Sequence, residues 1–204
     1  GDLSLETQFE RISLIQKRIL SEARQVACPV IVATELLASM VHKSAPSRAE
    51  VSDITNAVLD GANALMLSEE TAIGEFPVEA VTAMRHVADA AWEHMQDEAN
   101  HTPSQTIDNI PEAIGDAIAL ICRRLDITKI VAITITGYAA RMVASMMPSQ
   151  PILAVTNDAA AARSLNLLRG TRGVYIDRAF SSTNMEHIPH CLEELWRREN
   201  NSFT

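Results

Sequence analysis

Between residues 9 and 26 the apolar side chains Phe9, Ile12, Ile15, Ile19, Ala23 and Val26 recur every three or four positions, which is the period of one helix face. Cys28-Pro29 ends that pattern, because proline lacks the amide proton that a continuing helix needs. The run "VIVA" at 30–33 follows with no polar member and three β-branched residues. Such a run predicts a short parallel strand buried on both faces. "ELLASMV" predicts a short helix and "HKSAP" a loop. Ser47 and Glu50 have the spacing of a capping box, in which each side chain satisfies the other residue's free amide, so a helix is expected over 48–60, ending at Gly61. A second apolar strand, "ALML" at 64–67, runs directly into Ser68-Glu69-Glu70-Thr71. Pro77 then suits the first turn of a helix whose apolar face is Val78, Val81, Met84, Ala88 and Trp92.

From 96 to 111 the chain reads "QDEANHTPSQTIDNIP", polar and without an apolar period, and this marks the domain boundary. Beyond it the pattern alternates again. Helices are expected at 112–125, 138–147 and 159–168, the last ending at Gly170. Strands are expected in "KIVAITI", "PILAVT" and "GVYID", with a final helix within 184–200 that Pro189 breaks or delays. The expected organisation is a first α/β segment over 1–98, a linker over 99–110, and a small three-layer α/β domain with a mainly parallel sheet over 111–204.

Composition narrows the function classes. Seventeen basic residues against twenty-six acidic ones give a formal charge of -9 over 204 residues, which repels phosphate backbones and anionic lipid. Neither a nucleic-acid nor a membrane partner is expected. No apolar run reaches membrane-spanning length, and "GDLSLETQFERI" has neither a basic opening nor an apolar signal core. The three cysteines, Cys28, Cys122 and Cys191, form no disulfide or metal pattern, and the expected compartment is the reducing cytoplasm. The chain begins with Gly and reads from its first residues like the middle of a longer protein.

In α/β domains, chemistry collects at the carboxyl ends of strands. Three such ends are polar here: Thr34-Glu35, Ser68 to Thr71, and Thr134 to Gly137. Each also reads as a helix N-cap, and the residues alone leave both readings open. Of the six histidines, His187 and His190 stand three apart on a helix, which is a weak metal pattern. Met40, Met84, Met146 and Met147 read as packing residues.

The stretch "IVATELLASMV…APSRAEVSDITNAVLDGANALMLSEETAIGEFPVEAV" resembles the pyruvate kinase family, whose pattern runs A-T-Q-x-L-x-S-M, P-T-R-A-E-x-S-D and M-L-S-G-E-T-A-x-G. Gly1-Asp2-Leu3 is similar to that family's R-G-D-L-G turn. "IVAITITGYAARMVASMMPSQPILAVTNDAAAARSLNLLRG" resembles its effector domain, and the likeness covers about residues 1 to 175. The resemblance implies the last strands and helices of a (β/α)8 barrel, followed by the α/β domain. It implies phosphoryl transfer from phosphoenolpyruvate to ADP, with Mg²⁺ or Mn²⁺ and K⁺ as cofactors and a tetrameric parent. Asp2 matches a carboxylate that holds the divalent ion, and the Gly1 and Asp2 amides match groups near the substrate's acid end. Thr34 matches a threonine at the enolate face, and Ser68 a serine in the proton path. Glu70 and Thr71 continue that motif, with Glu70 read as bracing the loop. Thr134, Thr136 and Gly137 match the loop that binds effectors.

The sequence also departs from that pattern. Ser4 and Glu69 stand where the family has glycine, and Glu35 stands where it has glutamine. Glu69 is expected to strain a backbone shape that glycine permits, and its charge to repel an anionic substrate. Arg48 and Glu50 read as a structural ion pair or subunit contact. The family's last strand has no counterpart after Trp196, and most of its barrel, including its phosphate-binding arginine and catalytic lysine, is absent. The chain alone is therefore expected to be inactive, with a barrel remnant that exposes an apolar face. A non-catalytic relative of the family, and a free-standing anion-binding module over 111–204, are the rival expectations.

Overall fold

The amphipathic stretch near the start forms less helix than its period suggests. In the computed structural model a five-residue helix, α1 (Asp2–Glu6), and a 3-10 turn, Phe9–Arg11, precede α2 (Ile12–Gln25). The structure describes residues 2–99, 110–181, 183 and 185–200. The chain divides into two compact units, Gly1–Ser104 and Gln105–Thr204. Apart from its end residues Ala99 and Ile110, the expected linker lies outside the described residues.

Helix α2 ends before Cys28-Pro29, at a Schellman turn. Ala27 adopts a left-handed φ of 51°, the Cys28 amide donates to the Ala23 carbonyl at 2.8 Å, and the Ala27 amide donates to the Arg24 carbonyl at 3.0 Å. The same turn closes α3 (Arg48–Leu59), where Gly61 holds the left-handed position at φ 97°. Glycine takes that conformation freely, whereas alanine does not. At α2 the methyl of Ala27 is buried, and burying it, worth roughly 0.8 kcal/mol, offsets part of the strain.

Strands β1 (Ile31–Ala33) and β2 (Ala64–Met66) pair in parallel, with Ile31 opposite Ala64, Val32 opposite Leu65 and Ala33 opposite Met66. Between them lie a 3-10 turn, Ala38–Val41, where a short helix is expected from sequence, and α3. After β2 come α4 (Glu69–Ala72) and α5 (Pro77–Ala99). The core is Leu36, Leu37, Met40, Ile54, Ala80 and Met84, joined by a second cluster of Leu20, Ala57 and Ala62 against Val30, Val32 and Leu65. Full burial of a side chain the size of Leu37 or Ile54 stabilises by about 1.5–3 kcal/mol. The strand pair is covered on one face only, where Val32 and Leu65 are half-buried. Ile31 and Met66 are 46% and 47% exposed, because the described residues supply no second layer there.

The second unit carries α6 (Ile110–Arg124), β3 (Ile130–Ile133), α7 (Tyr138–Ser145), β4 (Ile152–Thr156), α8 (Ala159–Leu165), β5 (Thr171–Tyr175) and α9 (His187–Asn200). Its sheet is parallel throughout, in the order β3-β4-β5. Every residue of β4 is buried. Ile152 and Ala154 pack against Ala140, Val143, Ala144 and Leu165, while Leu153 and Val155 pack on the other face against Cys191 and Leu195 of α9. Helices therefore cover both faces, as three layers require. Pro189 sits in the first turn of α9, where its missing amide proton costs no helix bond, so it neither breaks nor interrupts the helix. Asp158 caps α8 by accepting from the Ala160 and Ala161 amides. Cys122 and Cys191 are buried, and burial raises both thiol pKa values against the pull of Arg123 and Arg178 respectively; Cys28 is exposed.

Two substitutions test this packing. A Cβ on Gly173 would stand 1.8 Å from the Ala162 carbonyl oxygen of α8, so Gly173→Ala is expected to lower unfolding free energy by about 3 kcal/mol in denaturant titrations. Glu50 is the second. Its burial would raise its pKa, but hydrogen bonds from the Ser39 hydroxyl and amide and from Ser47 outweigh this and hold it below the ordinary 4.5. Its contribution is thus complete above that ordinary value and disappears as pH falls through the lower folded one. Glu50→Ala is expected to cost about 2–3 kcal/mol at pH 7 and to flatten the acid side of the stability curve, both read by urea unfolding across pH.

Candidate active site at two strand ends

Because β1 and β2 run parallel, their carboxyl ends lie at one edge. One residue past the last pair stand Thr34 and Leu67, and Ser68 follows. Neighbouring strands are about 4.8 Å apart, so the two hydroxyl residues expected from sequence leave the same edge of the strand pair, Ser68 one residue further along than Thr34. Thr34 and Glu35 are consecutive left-handed residues, with φ of 71° and 58°. Each such non-glycine conformation costs roughly 1–3 kcal/mol and persists only where surrounding structure enforces it. Both side chains are exposed, whereas Leu36 and Leu37 turn straight into the core.

The capping alternative fails at Ser68. Its side chain makes no cap bond to α4, and its carbonyl instead accepts from the Thr71 and Ala72 amides. Thr34 precedes no helix directly, since the next element is the 3-10 turn at Ala38. Glu69 opens α4 with an ordinary helical backbone and is exposed. The strain expected from replacing glycine there is absent, which leaves only the added charge.

Glu70 does more than brace its own loop. It is 2% exposed, its Oε2 accepts the Ser68 amide at 2.8 Å, and its Oε1 accepts the Leu37 amide at 3.0 Å. One carboxylate thus ties the end of β2 to the turn after β1. The sequence gives no sign of the second partner, which lies 33 residues away. Glu50 is likewise filled by serine donors, Ser39 at 2.6 and 2.5 Å and Ser47 at 2.7 Å, and among the described residues no ion pair joins it to Arg48. Asp2 is the first residue of α1, described by its backbone alone, and Gly1 lies outside the described residues.

At the corresponding edge of the second unit the Thr134 hydroxyl, itself buried, accepts the Gly137 amide at 3.0 Å. Gly137 has a left-handed φ of 83° and opens α7. The Arg141 guanidinium closes over the same loop and donates to the Thr136 carbonyl at 3.3 Å. The Gly137 amide is therefore already committed within the loop, and the exposed hydroxyl there is that of Thr136. A separate concavity of about 360 Å³ lies beyond β5, lined by Arg178, Ser181, Glu186, His187 and His190 among others. The His187 ring is buried and stacks on Phe180 with centroids 4.8 Å apart. Among the described residues no three His, Cys, Asp or Glu side chains converge to hold a metal ion. Among them, too, no helix is long and apolar enough to cross a membrane.

A parallel strand pair with polar carboxyl ends, followed by a three-layer α/β unit, places the chain in the α/β class. Residues 1–81 match the family model for the pyruvate kinase barrel domain, and residues 112–199 match that for the pyruvate kinase alpha/beta domain. The chain belongs to the pyruvate kinase family. It is 42% identical over 176 residues to pyruvate kinase 2 of Synechocystis, covering 86% of this chain and 29% of that protein. It is 39% identical over 202 residues to the pyruvate kinase of Mycobacterium tuberculosis, covering 97% of this chain and 42% of that one. A crystal structure of a pyruvate kinase from Cryptosporidium parvum is similar with a TM-score of 0.75 at 32% identity, over 97% of this chain and 40% of its own. The chain thus spans less than half the length of these relatives.

The Thr134 bond has a measurable consequence. Thr134→Val keeps the shape but leaves the Gly137 amide without its acceptor, so thermal and denaturant unfolding are expected to show a loss of about 1–2 kcal/mol.

Proposed function

We propose that this chain forms the proton-delivering portion of a pyruvate kinase, which moves a phosphoryl group from phosphoenolpyruvate to ADP and gives pyruvate and ATP. The observation that supports this reading best is that Thr34 and Ser68 follow the carboxyl ends of adjacent parallel strands, with Thr34 held at φ 71°. In the reaction the bond between phosphorus and the enol oxygen breaks, and an ADP phosphate oxygen takes up the phosphoryl group. The enolate carbon then accepts a proton. Thr34 presents its hydroxyl to that carbon's face, and Ser68 passes a proton toward it.

Asp2 is proposed as a ligand of Mg²⁺ or Mn²⁺, and the Gly1 and Asp2 amides as partners of the substrate carboxylate. Such an ion offsets charge that develops on phosphoryl and enolate oxygens. Among the described residues no three His, Cys, Asp or Glu side chains come together to hold such an ion. K⁺, a tetrameric parent and a cytoplasmic setting belong to the same proposal, as does effector contact at Thr134, Thr136 and Gly137. The 204-residue chain by itself is proposed to be inactive.

A second reading, a non-catalytic family member, draws on the exposed carboxylates Glu35 and Glu69 beside the strand ends, which disfavour an anionic substrate. One assay separates the two. Pyruvate formation is measured with Mg²⁺ and K⁺ for the full-length reading frame that carries this segment and for its Thr34→Ala variant. Catalysis predicts an active wild type and a kcat lower by roughly 100-fold in the variant, with KM little changed. A silent wild type rejects the catalytic reading in favour of the second one.

A further inference from the structure

The turn that carries Thr34 is strained at two consecutive residues, and strain of this kind needs an outside constraint. That constraint is visible in Glu70. Leu37, two residues beyond the left-handed pair, gives its amide to one Glu70 oxygen, and Ser68 gives its amide to the other. One side chain thus holds the turn after β1 and Ser68, just past β2, at the same time. The platform under Glu70 is itself fixed. A Cβ on Gly74 would stand 2.4 Å from the Glu70 carbonyl oxygen, so glycine lets the chain fold back tightly there, and the Glu75 amide then donates to the Val41 carbonyl at 2.9 Å. Helix α4 is thereby anchored to the 3-10 turn Ala38–Val41, which follows Leu37 directly.

We infer that Glu70 is a positioning residue, whose single carboxylate sets the Thr34 turn against Ser68 so that the two hydroxyls work together in protonating the substrate carbon. The inference rests on the catalytic reading proposed above. It places Glu70 outside direct contact with substrate: its two oxygens are occupied by backbone amides, and it acts through the turn and the strand end that those amides belong to. Loss of the carboxylate then harms proton delivery more than substrate binding.

The test uses the full-length reading frame carrying this segment, with Glu70→Gln and Glu70→Asp. Glutamine keeps the size but turns an NH₂ group toward one of the two amide donors. Aspartate keeps the charge but is one methylene too short to reach both. Two activities are read: pyruvate formation, with kcat and KM separated, and exchange of pyruvate methyl protons with deuterium oxide by NMR. The exchange reports the protonation step without phosphoryl transfer. Circular dichroism melts establish that each variant is folded. Both variants are expected to lose kcat and exchange together, on the order of 100-fold, with KM for ADP and phosphoenolpyruvate little changed. Wild-type exchange in a folded variant overturns the inference, as does a rise in KM without loss of exchange. If both variants fail to fold, Glu70 is a folding residue and the inference is likewise overturned. A wild type that forms no pyruvate and exchanges no protons rejects the catalytic reading itself, and this is distinct from any result confined to the variants.

Discussion

Two parallel strands cannot be joined by a tight turn, and most of this molecule follows from that constraint. Among the described residues every strand pair is parallel, so each connection must travel back along the sheet, and it does so through α3 between β1 and β2, α7 between β3 and β4, and α8 between β4 and β5. The return path does two things at once. It lays a helix on a sheet face, which supplies the apolar burial, and it brings all the carboxyl ends of a sheet to one edge. Thr34 and Ser68 come to the same edge for that reason, although 33 residues separate them in sequence.

The two units meet the demand for burial differently. In the second, β4 has helices on both faces and none of its five residues is exposed. In the first, the helices cover one face, and Ile31 and Met66 are left in contact with solvent on the other. Apolar runs such as "VIVA" look the same in both settings, since composition records how buried a strand is in its whole sheet and not which strands a given chain supplies.

Legibility from sequence follows the range of the interaction. The capping box at Ser47 and Glu50, the left-handed Gly61 and the tolerated Pro189 are set by residues within a few positions of each other, and spacing alone indicates the helices they bound. Short elements fared worse. Helices α1 and α4 were not expected, because five or four residues carry no measurable period, and "ELLASMV" tightened to a 3-10 turn as Leu37 and Met40 entered the core. At the strand ends, sequence left Ser68 and Thr134 equally open as caps or as chemistry. Geometry separates them: the Thr134 hydroxyl serves its own loop, while the Ser68 side chain caps nothing. Glu69 was expected to strain a glycine position, yet its backbone is plainly helical. The bond from Glu70 to Leu37 was illegible in principle, for nothing local specifies which amide lies above a buried carboxylate.

The placement of the sulfurs gives this fold a built-in reporter. Cys28 lies exposed on the turn between α2 and β1, whereas Cys122 and Cys191 are enclosed, each in a helix and each with its thiol held in the protonated form by burial. A thiolate-seeking reagent therefore meets one sulfur in the native chain and two more when the second unit opens. Because both enclosed sulfurs belong to Gln105–Thr204 and the open one to Gly1–Ser104, a rise in labelling from one sulfur to three reports loosening of the second unit.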